Sequence, residues 1–183
     1  MPIIPDRDRD MLKREFRKEL KDDVTLRLFT QGSSLLTIPG RECKYCPETK
    51  QLLEELTALS PKLHLEVYDV YSRAEEKQKY GVDQIPAIVM GKNGEGRLKF
   101  YGIPMGLEFP TIVEGIKTIS RGVSPLSMDT RKRLRKVDQP VHIRVFVTPS
   151  CGYCPTVARL AHALALENEH ITSDVIEVEE FPA

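Results

Sequence analysis

The chain has 183 residues, 27 basic and 27 acidic side chains and no net formal charge. That length holds one domain or two small ones, and 40% apolar residues are too many for a disordered chain. Neutral balance argues against a nucleic-acid surface, and the sequence has no apolar run of about 18 residues to span a membrane.

Residues 1–10 alternate charges where a secretory signal needs an apolar core, so a cytosolic location is expected. Charged residues at 30%, with asparagine only at Asn93 and Asn168, lean toward a thermophilic source.

Residues 10–21 read as a helix with Met11, Leu12, Phe16 and Leu20 on one face. A strand follows at 24–29, with Val24, Leu26 and Leu28 on one side. Residues 31–42 form a loop holding Leu35, Leu36 and Ile38, read as packing over the sheet edge rather than as a substrate flap. The helix at 46–59 carries Leu52, Leu53, Leu56 and Leu59 inward, and Ser60-Pro61 ends it. A second strand spans 63–70, with Leu63, Leu65 and Val67 alternating, and a short helix at 74–80 stops at Gly81. Ile85-Pro86 leads into an apolar strand at 87–90, a hairpin turn at 92–96 and a returning strand at 97–101. A closing helix at 108–120 turns Phe109, Ile112, Val113 and Ile116 inward. The β-α-β steps imply parallel strands joined by right-handed crossovers, and the hairpin adds antiparallel ones.

After a linker at 122–127 the pattern restarts, with a helix at 128–137 and a strand at 141–147. Met128 aligns with Met11, and Val141–Phe146 with Val24–Phe29. Cys151 and Cys154 align with Cys43 and Cys46, and Ile176-Glu177-Val178 with Tyr68-Asp69-Val70. The register changes between the two sets because the first loop is longer. This is a tandem duplication of an α/β unit, 1–122 and 123–183. No counterpart of Ile85-Pro86, of the hairpin or of the closing helix follows in the second copy. An exposed edge and an uncovered apolar face are therefore expected. The first unit or a second subunit, as in a homodimer, would cover them, or the face would not be stable.

All four cysteines lie in Cys43-Lys44-Tyr45-Cys46-Pro47 and Cys151-Gly152-Tyr153-Cys154-Pro155. C-x-x-C at a strand-to-helix junction is the form of a dithiol that cycles to a disulfide. The first turn of a helix has unpaired N–H groups and the positive end of the dipole, both of which favour a thiolate. Lys44 adds a cation beside Cys43, whereas Gly152 adds none, so Cys43 is expected to be the more acidic of the two leading thiols.

This order of elements resembles the thioredoxin and glutaredoxin superfamily, and its tandem C-x-Y-C-P form resembles the protein disulfide oxidoreductases of thermophilic archaea and bacteria. The fold implied is two tandem thioredoxin-like units, each a mixed sheet flanked by helices, with the second incomplete. The resemblance implies redox cysteines Cys43, Cys46, Cys151 and Cys154. It also implies a cis peptide at Ile85-Pro86, which would face the cysteines and pair with substrate. Tyr45 and Tyr153 would offer aromatic surface to a substrate, or simply pack. Protein disulfides are the implied substrates. With no Gly-rich phosphate loop no bound nucleotide or flavin is expected, and electrons would come from a separate flavoprotein of the thioredoxin-reductase kind.

Three other readings stay open. Paired C-x-x-C motifs can hold zinc, but the usual separation is ~15–20 residues and here it is about a hundred. Both pairs could be inert structural disulfides. Finally, the second unit could serve only for docking or dimerisation. The histidines His64, His142, His162 and His170 show no ligand spacing, and the basic run 131–136 reads as a solvated helix face.

Overall fold

Side-chain alternation along each strand decides which layer of the protein it serves. The computed structural model describes residues 2–32, 42–92 and 94–181. The apolar flap residues Leu35, Leu36 and Ile38 and the hairpin's Asn93 lie outside these.

Six strands form one sheet: β1 (Val24–Thr30), β2 (Leu63–Asp69), β3 (Ala87–Gly91), β4 (Leu98–Tyr101), β5 (Val141–Val147) and β6 (Ile171–Glu177). The helices are α1 (Asp6–Glu19), α2 (Cys46–Thr57), α3 (Ala74–Lys79), α4 (Phe109–Arg121), α5 (Met128–Leu134) and α6 (Cys154–Glu167). The strand order is β2-β1-β3-β4-β6-β5, and only β3 runs against the rest.

One face of the sheet carries the main core. Leu26 and Leu28 of β1, Ile88 and Met90 of β3, Phe100 of β4 and Val175 of β6 pack there against α1, α2, α4 and α6. The opposite residues, Phe29, Ala87, Val89, Tyr101 and Ile176, form a smaller core with Tyr80 and Val82, just past α3. The second repeat has no helix like α3 among the described residues. On that side of β5 Phe146 is therefore 60% exposed.

Several boundaries differ from the sequence expectation for local reasons. Helix α1 starts at Asp6, where Pro5 sets the approach and Asp6 and Asp8 suit the positive helix end. Met11 lies one position off the buried stripe of Leu12 and Phe16 and is half exposed. Helix α5 stops at Leu134 because the Asn168 side-chain amide donates to the carbonyls of Leu134 and Val137, at 2.7 and 2.9 Å. On the edge strand β2, Val67 faces solvent rather than core.

The expected free edge is resolved in an unexpected way. Strand β4 would be the outer strand of the first unit and β6 that of the second, and they pair with each other in parallel, Leu98 to Ser173 through Tyr101 to Ile176. Each covers the other. The open edge passes to β5, which has no further strand partner among the described residues.

The junction is cross-linked by charge. Lys99 and Asp174 are paired in register, both nearly fully buried, and their side chains meet at 3.4 Å. Asp174 also meets His142 Nε2 of β5 at 2.7 Å. Removing one partner strands the other charge without water. Asp174→Ala should lower unfolding free energy by about 3–5 kcal/mol, while Lys99→Met with Asp174→Leu should recover most of it. Urea unfolding of the three proteins checks this, and equal losses in single and double variants would contradict it.

His162 of α6 is buried between α4 and the sheet, with Nε2 3.3 Å from the Lys99 carbonyl. Burial holds its pKa down to about 4. The unfolded chain takes up this proton near pH ~6.5, before the folded one does. Stability should thus be lost as pH falls from about 6.5 toward 4, by up to about 3 kcal/mol. His162→Leu should flatten that part of the stability profile, measured by denaturation at pH 7 and pH 5.

Candidate active site

The strand directions place both dithiols at one end of the sheet. Strands β1 and β5 point the same way, and each chain end leads into a C-x-x-C. Strands β3, β4 and β6 lie between them. At the usual strand spacing β1 and β5 stand about 20 Å apart across the sheet.

Each pair is closed as a disulfide within its own motif, Cys43–Cys46 and Cys151–Cys154, with Cα atoms 5.4 Å apart in both. The four-thiolate zinc reading has no geometric support: no group of metal-ligating side chains occurs among the described residues. Helices α2 and α6 begin at the second cysteine of each motif, with proline next. Proline has no N–H to lose there. In the second motif Cys154 N donates to Cys151 Sγ at 3.2 Å, whereas in the first Cys46 N donates to the Cys43 carbonyl at 3.4 Å.

Burial separates the members of the first pair only: Cys43 is partly exposed and Cys46 is buried at 3%, whereas Cys151 and Cys154 are both partly exposed. The first motif is anchored by the Cys43 amide, which donates to Gln31 Oε1 at 3.1 Å. Tyr45 packs partly against the main core, and the Lys44 ammonium lies 4.8 Å over its ring. Tyr153 is 86% exposed. The two tyrosines are equivalent in sequence but not in environment.

The Ile85–Pro86 peptide is cis. It enters β3 where Ala87 pairs with Phe29, at the level where β1 passes into the loop before Cys43. The Pro86 carbonyl accepts from the amide of Gly102, just past β4. The second motif has another neighbour. Leu107 N donates to the carbonyl of Pro149 at 3.4 Å, and a Cβ on Gly106 would lie 3.1 Å from the same oxygen. The segment after β4 thus runs past both sites.

Three acids at this end were not singled out by sequence reasoning. Glu108 is 1% exposed; burial pushes its pKa up, opposed by a hydrogen bond from Thr111 at 2.9 Å and by the Arg159 charge. Glu177 is 3% exposed and is also raised by burial. Burial pushes Glu180 up to about 7. In sequence, Glu108 passes for a helix-start residue and Glu179-Glu180 for a solvated acidic pair, and the one signal was the alignment of Glu177 with Asp69.

Known proteins resemble this chain in sequence and fold. Residues 35–114 match the family described as thioredoxin domain. The alkyl hydroperoxide reductase AhpF of Staphylococcus aureus is 26% identical over 168 residues, 91% of this chain and 30% of that protein. The chain therefore spans less than a third of this relative's length. The solved structure of alkyl hydroperoxide reductase AhpF from Enterococcus faecalis superposes with a TM-score of 0.84 at 25% identity, covering 98% of this chain and 82% of that one. A protein disulfide oxidoreductase from Aeropyrum pernix superposes with a TM-score of 0.85 at 30% identity, covering 97% of this chain and 76% of that one.

Exposure and helix position together give an order of reactivity. In the reduced protein at neutral pH, a limiting alkylating agent should label Cys43 and Cys151 at least about tenfold faster than Cys46. Peptide mass mapping over time checks this. Labelling of Cys46 first would reverse the assignment of leading and resolving thiols.

Proposed function

The chain belongs to the thioredoxin superfamily, and on that premise we propose that it is a protein disulfide oxidoreductase working by thiol–disulfide exchange. The observation that carries this reading is the pair of dithiols, each opening a long helix, on one end of one sheet. Protein disulfides are the substrate class.

Cys43 and Cys151 are the attacking thiols, and Cys46 and Cys154 resolve. The Cys43 thiolate attacks one sulfur of a substrate disulfide and expels the other as a thiolate. The Cys46 thiolate then attacks Cys43 Sγ. The mixed disulfide breaks, the second substrate sulfur leaves, and the Cys43–Cys46 bond forms. Two electrons have passed to the substrate. The reverse sequence oxidises a substrate dithiol. No bound cofactor enters these steps. A separate flavoprotein of the thioredoxin-reductase kind restores the dithiol, in the cytosol. The likeness to the AhpF component of alkyl hydroperoxide reductase supports a place in such an electron chain.

The two sites divide the work unequally. Beside the first motif the Ile85–Pro86 turn, leading into β3 next to β1, supplies a backbone edge for an extended substrate segment. Among the described residues no such turn lies beside the second motif, which presents Tyr153. A second reading assigns the repeat of residues 123–183 to docking or to a homodimer contact, favoured by the free β5 edge and exposed Phe146.

Insulin reduction driven by a small thiol reagent separates these. Cys43→Ser should lose about tenfold or more of the rate, and Cys151→Ser should keep most of it. Activity kept by Cys43→Ser and lost in Cys151→Ser would invert the division of labour. Full activity with all four cysteines replaced would end the oxidoreductase reading.

A further inference from the structure

The register that aligns Cys46 with Cys154 also aligns Gln51, Leu52 and Glu55 of α2 with Arg159, Leu160 and Ala163 of α6. Each set lies on one helix face. In the first repeat that face is covered by the segment before α1. The amides of Ile3 and Ile4 both donate to the Glu55 carboxylate at 3.0 Å. Gln51 Nε2 donates to the same carboxylate at 2.8 Å. Leu52 lines a small cavity with Ile3 and Ile4 and is 2% exposed.

The second repeat has the face without the cover. The alignment of Met11 with Met128 puts Ser120 and Arg121, the end of α4, where Ile3 and Ile4 would be. Leu160 is 50% exposed, and it borders an open groove of about 490 Å³ between α6 and α4. That volume is in the range of ligand sites, about 300–1,000 Å³. Thr111 and Thr118 form the α4 wall, and Leu126 of the linker adds apolar surface. The chemistry of the face has also changed sign. Where Glu55 offers an anion to backbone amides, the second repeat has Ala163, and Gln51 is replaced by Arg159. Arg159 is exposed, uses Nε on the Pro155 carbonyl at 3.1 Å and makes no salt bridge among the described residues. The other charges of the groove are matched: Glu114 meets Lys117 at 2.8 Å, and Arg121 lies 3.7 Å from Glu19 and 4.0 Å from Glu114. His162 also lines the groove, and its buried Nδ1 has no hydrogen-bond partner among the described residues. An occupant carrying N–H donors suits such a wall better than a hydrocarbon chain does.

We propose that the groove between α4 and α6 is a docking site for an extended segment of a partner protein, two branched apolar residues beside an acidic one, with the acid paired to Arg159. The first repeat shows the shape that fits, because Ile3 and Ile4 seat in extended form on the equivalent face. The unpaired guanidinium supplies the charge preference, and a charge-assisted, two-pronged contact to a carboxylate is what arginine does best. Leu160 and Leu126 take the apolar side chains out of water. No sulfur lines the groove, so the site stands whether or not the dithiols exchange.

The test is an NMR titration of the nitrogen-15-labelled full-length chain, both disulfides closed, with the blocked peptide acetyl-Gly-Ile-Ile-Glu-Gly-amide. Amide shifts should gather on Thr111, Thr118, Leu126, Leu160 and Ala163, with a Kd below about 1 mM. Replacing the peptide's Glu by Gln should weaken binding at least about fivefold on the unaltered chain and hardly at all on Arg159→Glu. Leu160→Asp should weaken it at least about tenfold. Val157→Ser removes an apolar side chain equally exposed on α6 but outside the groove, and should change nothing. No shifts at about 1 mM peptide overturn the proposal. So do shifts centred on Ile85 and Pro86, which would mark the substrate edge instead, and so does equal binding of the Glu and Gln peptides. Hexanoate, an apolar anion without amides, should fail to displace the peptide at about tenfold excess. Full displacement would make a small amphipathic anion the occupant and overturn the peptide reading. Should a variant fail to fold, the Glu and Gln peptides on the unaltered chain decide.

Discussion

Everything functional in this molecule depends on β4 and β6 lying side by side in parallel. Two thioredoxin-like repeats each bring a strand whose outer edge would otherwise stand open. Joining those edges fuses two sheets into one in which β1 and β5 run in the same direction. A one-residue slip in this register would exchange the faces of every side chain beyond it. The Lys99–Asp174 pair resists such a slip, because the two charges are buried and match only in this alignment. Ion pairs of this kind are weak sources of stability, and their best-attested use is to fix registry. His142 extends the same contact to β5, so one carboxylate ties three strands.

The direction of the strands has a chemical consequence. Both dithiols emerge at one end, and the segment after β4 passes beside each. That segment touches Pro86 and Glu180 through Gly102 and Ile103, then Pro149 through Gly106 and Leu107. Each motif is therefore completed by residues that lie outside its own C-x-x-C helix. The two are not equivalent. One has a backbone turn beside it and a half-buried tyrosine; the other has an exposed tyrosine and an open sheet edge. Duplication supplied the same sulfur chemistry twice, and packing made the surroundings differ.

Much of this was legible in the residues. Period-two runs located the strands, and the spacing of Leu52, Leu53 and Leu56 located α2 with its buried face. The aligned copies pointed to the repeat, and the C-x-x-C spacing located the two disulfides. Boundaries moved where a distant residue intervened, as when Asn168 ends α5. The pairing of β4 with β6 was out of reach, because nothing local in Leu98–Tyr101 says which strand its free edge will meet. Met11 was misplaced for a simpler reason. A helix stripe read by eye is one residue wide or two, and only packing decides.

The buried acids were illegible for a deeper reason. Composition counts 27 acidic and 27 basic side chains and reports neutrality, yet charge matters where water is scarce. Glu108 and Glu177 are almost fully buried and Glu180 partly so, all at the same end of the sheet as the sulfurs. Burial of a carboxyl opposes folding whenever the group is ionised. Three such groups at one end of the sheet, while ordinary core positions take leucine and valine, are where local rules yield to other demands. A thiol exchange reaction moves negative charge from one sulfur to the next. An environment able to add or withdraw a nearby charge near neutral pH can shift that balance, whereas an all-apolar one would hold the sulfurs protonated.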